Sequence, residues 1–268
     1  MLRRTIVGIL IAVFLLVCLY FGDLLFIAAF SVIFVMAVHD LRHVLETDGK
    51  KVFLVPVYVF AALFGFVFYI TGGSIKNVAA FALLCLATSI VGQVIISPDN
   101  FAAAPFSLLP YAYPLLSAVC LIALRCGFES GFSTTVASLA ILAPLGGDSL
   151  AYFCGFLLGK HSFFPHISPK KTVEGAVGAL IGGTLVGLVL FYLQALWGGA
   201  VALWVLMLLG LACGILGQFG DLFASVLKRS AGLKDFSGYI PGHGGTLDRI
   251  DSVLLCAPVI LAYALLVR

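Results

Sequence analysis

The sequence predicts an all-α protein that crosses a membrane about nine times. Hydrophobic residues make up 62% of the 268 residues and charged residues only 10%, whereas soluble domains contain about 45–50% apolar and about 25% charged residues. A membrane-spanning helix needs about 20 largely apolar residues, and such segments follow one another along almost the whole chain. Water therefore cannot be the main solvent of this protein.

Nine apolar segments are the predicted spans. They cover residues 5–21, 24–38, 52–70, 78–96, 106–125, 133–158, 175–197, 201–221 and 250–267. The second is short for a full crossing, and the sixth contains Pro144, Gly146 and Gly147, which we expect to break the helix. We divide the chain into an N-terminal part, 1–130, with about five spans, and a catalytic part, 131–268, with polar loops at 159–174 and 224–249.

Lysines and arginines divide unevenly between the two sides that nine spans would create. Twelve of the fifteen fall on one side, and only Lys76, Arg125 and Arg268 fall on the other. Because cytoplasmic loops collect basic residues, we predict that the N-terminus and both polar loops are cytosolic, in a bacterial-type inner membrane. The net charge of +3 thus reflects topology, and we read no nucleic-acid partner from it.

Polar residues are concentrated in the second half of the chain. In the first half, the stretch 39–51 mixes both charge signs without a ligand-like pattern, and we expect a solvated turn at the membrane surface. In the second half, Asp148 follows two glycines inside an apolar segment. A carboxylate at membrane depth costs at least about 2.5 kcal/mol and is commonly retained for function. Asp148 is therefore either a cap at a glycine break or an acid that lines a water-filled cavity.

The loop 159–174 ends in a pattern that suits a phosphate. Lys170 and Lys171 precede Thr172 and Glu174 at the predicted start of a helix. Helix N-termini attract anions through unpaired N–H groups and the helix dipole, and two adjacent ammonium groups add to that attraction. The alternative is that the lysines only mark the cytosolic side, while Thr172 and Glu174 cap the helix.

Carboxylates gather around the last predicted span. In a helix, Asp221, Ser225 and Lys228 would fall at i, i+4 and i+7 and so share one face. Asp248 and Asp251 likewise share one face at the start of the last helix. Neighbouring carboxylates repel each other unless a cation lies among them, and Mg²⁺ prefers oxygen ligands. The segment therefore predicts a magnesium site for nucleotide phosphate chemistry.

These residues belong to a longer pattern that resembles a known family. The pattern runs from Ser225-x-x-Lys228-Arg229 through Lys234-Asp235 to Pro241-Gly242-His243-Gly244-Gly245-x-x-Asp248-Arg249-x-Asp251. It resembles the signature of phosphatidate cytidylyltransferases, also called CDP-diacylglycerol synthases. Gly147-Asp148 and Ser168-Pro169-Lys170-Lys171-Thr172-x-Glu174-Gly175 are similar to that family as well, although Val173 stands where the family usually has Trp.

The resemblance implies a reaction in which a phosphate oxygen of phosphatidic acid attacks the α-phosphorus of CTP, giving CDP-diacylglycerol and pyrophosphate. It also implies Mg²⁺, sometimes with a monovalent cation, and a homodimer in the lipid bilayer. Such transfer needs positioning and charge neutralisation more than covalent help.

Site roles follow from the resemblance. The expected metal ligands are Asp221, Asp248, Asp251 and Asp148. The expected catalytic residues are Asp221, Asp248, Lys228, Arg229 and His243, the last in an electrostatic role. The expected substrate-binding residues are Ser168, Lys170, Lys171, Thr172, Glu174, Ser225, Lys234, Asp235, Gly244, Gly245 and Arg249.

Two other functions compete with this interpretation. A CTP-dependent lipid kinase, or a cytidylyltransferase for another lipid phosphate, would use a similar arrangement of polar loops. A transporter would also place Asp148 and Asp221 at membrane depth, but it has no need for a long loop dense in Lys, Asp, Gly and His. The reaction product separates the two enzymes, because pyrophosphate marks cytidylyl transfer and CDP marks a kinase.

Overall fold

The described chain consists of helices and a small β-hairpin. The computed structural model describes residues 13–14, 17–96, 103–165, 167–238 and 244–268. In chain order, its elements are α1 (Asp23–Thr47), α2 (Val55–Ile70), α3 (Ile75–Ile96), α4 (Ala104–Pro110), α5 (Leu116–Cys126), α6 (Ser130–Leu158), β1 (Ser162–Phe164), β2 (Ser168–Thr172), α7 (Val173–Leu193), α8 (Leu203–Ser230) and α9 (Leu247–Val267). A π-helical segment, Tyr111–Leu115, joins α4 to α5, and a 3₁₀ turn, Gln194–Trp197, follows α7.

Seven helical segments among the described residues are long and apolar enough to cross a membrane. α4, the π-helical segment and α5 together form one of them, Ala104–Cys126. α2 has only 16 residues, which is short for a crossing of a bilayer about 30 Å thick. The prediction of an all-α, multi-spanning membrane protein is confirmed. The count of nine stays a prediction, since the first predicted span lies largely outside the described residues.

α1 is longer than predicted. The predicted span ended at residue 38, but the helix continues to Thr47, so most of the stretch 39–51 is helical. Leu41, Val44 and Leu45 are buried and continue the apolar face of the helix at three- and four-residue spacing. Asp40 is also fully buried. The expectation of a solvated turn at this point was therefore wrong.

α6 runs without a break through Pro144, so the predicted break in the sixth span was also wrong. The glycines beside Pro144 serve helix packing instead. A Cβ on Gly182 of α7 would lie 2.5 Å from the carbonyl oxygen of Gly146, and such small residues let helix backbones approach closely in membranes. Asp148 consequently projects from within a helix and does not cap one.

The chain forms two compact units. The first comprises Met1–Ala123 and Ser230–Arg249, and the second comprises Leu124–Arg229 and Ile250–Arg268. The first unit thus contains Asp248, whereas the second contains Asp148, Asp221 and Asp251. The division of the chain at residue 130 stays a prediction.

Candidate active site

The loop 159–174 folds into a hairpin that leads directly into α7. β1 and β2 pair in an antiparallel manner. Thr172 Oγ1 accepts a hydrogen bond of 3.1 Å from the N–H of Gly175, so Thr172 is the N-cap of α7. Glu174 Oε1 lies 2.7 Å from Nδ1 of His161. The hairpin is therefore closed onto the first turn of α7, which fixes the backbone on either side of Lys171.

Lys171 and Asp221 form an ion pair between the hairpin and α8. Lys171 Nζ lies 2.7 Å from Asp221 Oδ2 and also donates to the carbonyl oxygen of Gln218, at 3.2 Å. The two side chains keep 22% and 36% of their surface exposed. Partly exposed pairs contribute little stability, about 0–1 kcal/mol, whereas both groups stay accessible to a ligand. The contact joins an ammonium of the predicted polar loop 159–174 to a carboxylate at the end of the eighth predicted span.

Ser252 links two further carboxylates. Its Oγ donates to Asp148 Oδ2 at 2.7 Å, and its backbone N–H donates to Asp251 Oδ1 at 2.8 Å. Asp251 is buried and lies close enough to Asp148 and Asp221 to be repelled by their charges, an effect that Lys228 partly offsets. Ser252 was missed at the sequence level. Its one signal there is its position directly after Asp251.

Close packing of α8 against α9 brings these groups together. A Cβ on Gly220 would lie 2.3 Å from the carbonyl oxygen of Asp251. A Cβ on Gly217, one turn earlier, would lie 3.4 Å from Cβ of Ser252. A side chain at residue 220 would push the helices apart, and this explains why glycine precedes Asp221.

α8 extends further than the predicted span. It continues to Ser230, so the polar loop begins at residue 231 and not at 224. The i, i+4, i+7 spacing of Asp221, Ser225 and Lys228 therefore lies on one helix, as predicted. Lys228 is buried, while Arg229 beside it is exposed. Buried Leu222 and Ala224 continue the packed face of the helix through this segment.

Asp248 supports a tight turn in the first compact unit. Its Oδ2 accepts hydrogen bonds from the N–H groups of Phe236, at 3.0 Å, and Gly245, at 2.9 Å. Gly244 has a φ of +76°, a conformation that glycine adopts readily, and a Cβ there would lie 2.9 Å from Asp248 Oδ2. The loop backbone therefore wraps closely around this carboxylate at the start of α9.

The remaining predicted site residues have varied positions. His243 lies outside the described residues. Ser168 lies in β2 and Ser225 in α8, and both are partly exposed. The exposed members of the predicted set are Lys170, Arg229, Lys234, Asp235 and Arg249. Their roles in substrate binding stay predictions.

Metal binding can be judged from the donor set. Among the described residues, no three side chains of His, Cys, Asp or Glu are grouped closely enough to hold a metal ion by themselves. Mg²⁺, however, commonly keeps several waters and binds through one or two carboxylates together with substrate phosphates. Asp148 is exposed and Asp221 partly exposed on the protein surface, and their hard oxygen donors fit an ion that arrives with a nucleotide.

Comparison with known proteins is consistent with this chemistry. The model of the cytidylyltransferase family matches residues 2–267. A phosphatidate cytidylyltransferase of Staphylococcus haemolyticus is 30% identical over 268 residues, covering 96% of each chain. Its counterparts in Staphylococcus saprophyticus and Staphylococcus epidermidis are 33% identical over 70% of each chain and 29% identical over 96% of each chain. The chain belongs to the cytidylyltransferase family.

Proposed function

We infer that this protein is a phosphatidate cytidylyltransferase, which transfers CMP from CTP to phosphatidic acid and so makes CDP-diacylglycerol for phospholipid synthesis. The observation that carries this inference is the accessible Lys171–Asp221 pair in a chain that resembles enzymes of that name over 96% of its length. A cation and a carboxylate in direct contact suit a site that must hold both phosphates and a metal ion.

The reaction itself requires little covalent help from the protein. An oxygen of the lipid phosphate forms a bond to the α-phosphorus of CTP, and the bond between that phosphorus and the β-bridging oxygen breaks, releasing pyrophosphate. Phosphatidate is already ionised near neutral pH, so no strong general base is needed. The main remaining barrier is the repulsion between two anionic reactants, and fixed cations can offset that repulsion.

We assign the offsetting charge to two lysines. Lys171 is held by the hairpin and by Asp221 and Gln218, so its ammonium group can receive a phosphate without rearrangement of the backbone. Lys228 is buried beside Asp251, and its charge is therefore screened less by water. Lys170 and Arg229 are exposed and would attract the triphosphate from solution.

Magnesium would be held by Asp221, with Asp148 as a neighbour. The assignment of Asp248 as a further ligand rests on the family resemblance alone. When bound, Mg²⁺ would offset the negative charge of the triphosphate. Ser252 orients Asp148 through its hydroxyl group. Asp251 is mostly buried and accepts the Ser252 N–H, which suits a supporting charge better than a directly exposed ligand. A monovalent cation remains part of the proposal.

The site would open to the cytosol and to the membrane. CTP arrives from water, whereas the tails of phosphatidate stay in the bilayer, so the reacting phosphates must meet near one interface. The twelve-to-three division of basic residues favours the cytosolic face of a bacterial inner membrane, with the N-terminus on the same side. We propose a homodimer as the working form.

The decisive experiment follows the products of CTP. Purified protein in detergent is mixed with phosphatidic acid and CTP labelled either in the base or in the γ-phosphate, with and without Mg²⁺. The proposal predicts labelled CDP-diacylglycerol and pyrophosphate only when lipid and Mg²⁺ are both present. Release of CDP with a phosphorylated lipid would identify a CTP-dependent lipid kinase. Turnover with a different lipid phosphate, and none with phosphatidic acid, would identify another substrate. No turnover with any lipid phosphate would contradict both enzyme functions and favour the transporter.

A further inference from the structure

Asp40 is a fully buried carboxylate in the first half of the chain. It lies near the C-terminal end of α1, in a stretch with no ligand-like pattern. Burying a carboxylate is costly unless hydrogen bonds compensate it. Its partner lies 207 residues away in sequence: Asp40 Oδ2 accepts the backbone N–H of Leu247 at 2.8 Å. Leu247 is the first residue of α9.

This contact caps α9 from outside the helix. The first N–H groups of a helix have no partner within it, and a negative charge at this end is favoured by the helix dipole. Sequence-local caps use the side chain just before the helix, but the Oγ1 atom of Thr246 has no hydrogen-bond partner among the described residues. Asp40 thus takes the role that a neighbouring side chain usually fills.

Asp40 and Asp248 hold the same short turn. A Cβ on Gly245 would lie 2.6 Å from Asp40 Oδ2, while the N–H of Gly245 donates to Asp248 Oδ2. The two carboxylates are close enough to repel each other. The Ser237 hydroxyl lies beside Asp40, yet within the part of the chain that the structure describes neither it nor Asp40 Oδ1 makes a hydrogen bond of good geometry. The turn is therefore fixed from α1 on one side and from the start of α9 on the other.

We propose that Asp40 is a positioning residue for the reaction: by capping α9 at Leu247, it sets the orientation in which Asp248 is presented to the metal and the nucleotide. The proposal rests on the proposed function, because it assigns Asp248 to that site. It gives α1 a task in catalysis that the composition of the N-terminal half does not suggest.

The test compares Asp40→Ala and Asp40→Asn with Glu46→Gln. Glu46 is a matched control, since it lies on the same helix but forms an exposed pair with Arg42. We expect Asp40→Ala to lower kcat roughly tenfold or more, since small misplacements of reacting groups cost up to about a hundredfold. The Mg²⁺ concentration for half-maximal activity should rise, while KM for phosphatidate changes less than about threefold, since only the turn around Asp248 moves. Asp40→Asn keeps an acceptor for the Leu247 N–H and should therefore retain most of the wild-type kcat.

Hydrogen exchange read by mass spectrometry separates positioning from unfolding. Asp40→Ala should lose amide protection in a peptide that covers 244–250 and keep it in α6 and α7. Loss of protection along the whole chain would overturn the proposal, because Asp40 would then only maintain the fold. Unchanged kcat and unchanged Mg²⁺ dependence in a folded Asp40→Ala protein would overturn it as well. Absence of pyrophosphate release by the wild-type protein would instead refute the proposed function.

Discussion

Lys171 Nζ and Asp221 Oδ2 lie 2.7 Å apart, and this contact joins the hairpin before α7 to α8. Each group also has its own proposed ligand in the reaction, a phosphate for the lysine and a metal ion for the aspartate.

 The pair therefore holds the two functional groups in fixed positions before any substrate binds.

Replacing either member of this pair should affect different kinetic constants. Asp221→Asn removes a carboxylate from the proposed metal site, so we expect kcat to fall by roughly a hundredfold, a loss typical of removing one electrostatic group from an active site. Lys171→Gln should mainly raise KM for CTP, because a fixed cation for the phosphates is lost. Pyrophosphate release over a range of CTP concentrations measures both. Arg42→Gln, which breaks an exposed pair on α1, is the control and should leave both constants unchanged.

Asp248→Asn should abolish turnover while the protein stays folded. The Asn oxygen can still accept the N–H groups of Phe236 and Gly245, so the turn is kept, but the charge offered to a metal ion is gone. Raising the Mg²⁺ concentration should rescue activity poorly. Asp235→Asn, an exposed carboxylate in the same loop, should reduce activity less. Substantial activity of Asp248→Asn at ordinary Mg²⁺, normalised to folded protein by size exclusion, would remove Asp248 from the metal site.

Ser252→Ala should cost stability and activity together. The substitution removes a 2.7 Å hydrogen bond to Asp148, and a hydrogen bond to a charged group contributes about 1.5–3 kcal/mol. We expect a lower midpoint of thermal unfolding in detergent and a several-fold fall in kcat, because Asp148 loses its orientation. Ser149→Ala removes only an exposed bond to the backbone of its own helix and should change neither quantity. Equal behaviour of the two variants would contradict the role given to Ser252.

Gly183→Ala should destabilise the protein strongly. A Cβ there would lie 2.2 Å from the carbonyl oxygen of Gly210, so α7 and α8 would have to separate. Overpacking of this kind costs about 1–3 kcal/mol. Gly238→Ala is the matched control, since a Cβ at that residue would meet nothing within 4 Å. Thermal unfolding of both variants in the same detergent gives the comparison, and equal midpoints would mean that the helices tolerate the extra methyl group.

The hairpin and the loop before α9 should be accessible from the same side of the membrane. Ser162 and Gly238 are exposed, and the division of basic residues predicts that both segments are cytosolic. Single cysteines at these positions, in a background without the native cysteines, should react with an impermeant maleimide only in inside-out vesicles. Lys76→Cys, predicted on the opposite side, should react only in right-side-out vesicles. Labelling of Ser162→Cys and Gly238→Cys from opposite sides would refute a single cytosolic site.

Much of the fold was predictable because hydropathy acts on each residue separately. A residue in lipid must be apolar whichever helix it contacts, so composition and segment length were enough to predict an all-α membrane protein and to locate most of its helices. The errors fell where hydropathy was not the deciding factor. α1 and α8 continue through polar residues beyond the predicted spans, and α6 continues through Pro144. In these helices, packing outweighs the conformational preference of single residues.

The chemistry of the site was also visible in the sequence, since carboxylates, lysines and glycines at regular spacing can be recognised without a structure. Their partners were not. Three contacts depend on which elements of the chain pack against each other. They are the hydrogen bonds of Ser252 with Asp148 and Asp251, the contact of Lys171 with Asp221, and the capping of Leu247 by Asp40 across 207 residues. The sequence by itself determined the solvent of the chain and the kinds of groups it offers. Only the tertiary structure decided which groups meet, because a hydrogen bond depends on distance in space and not on separation along the chain.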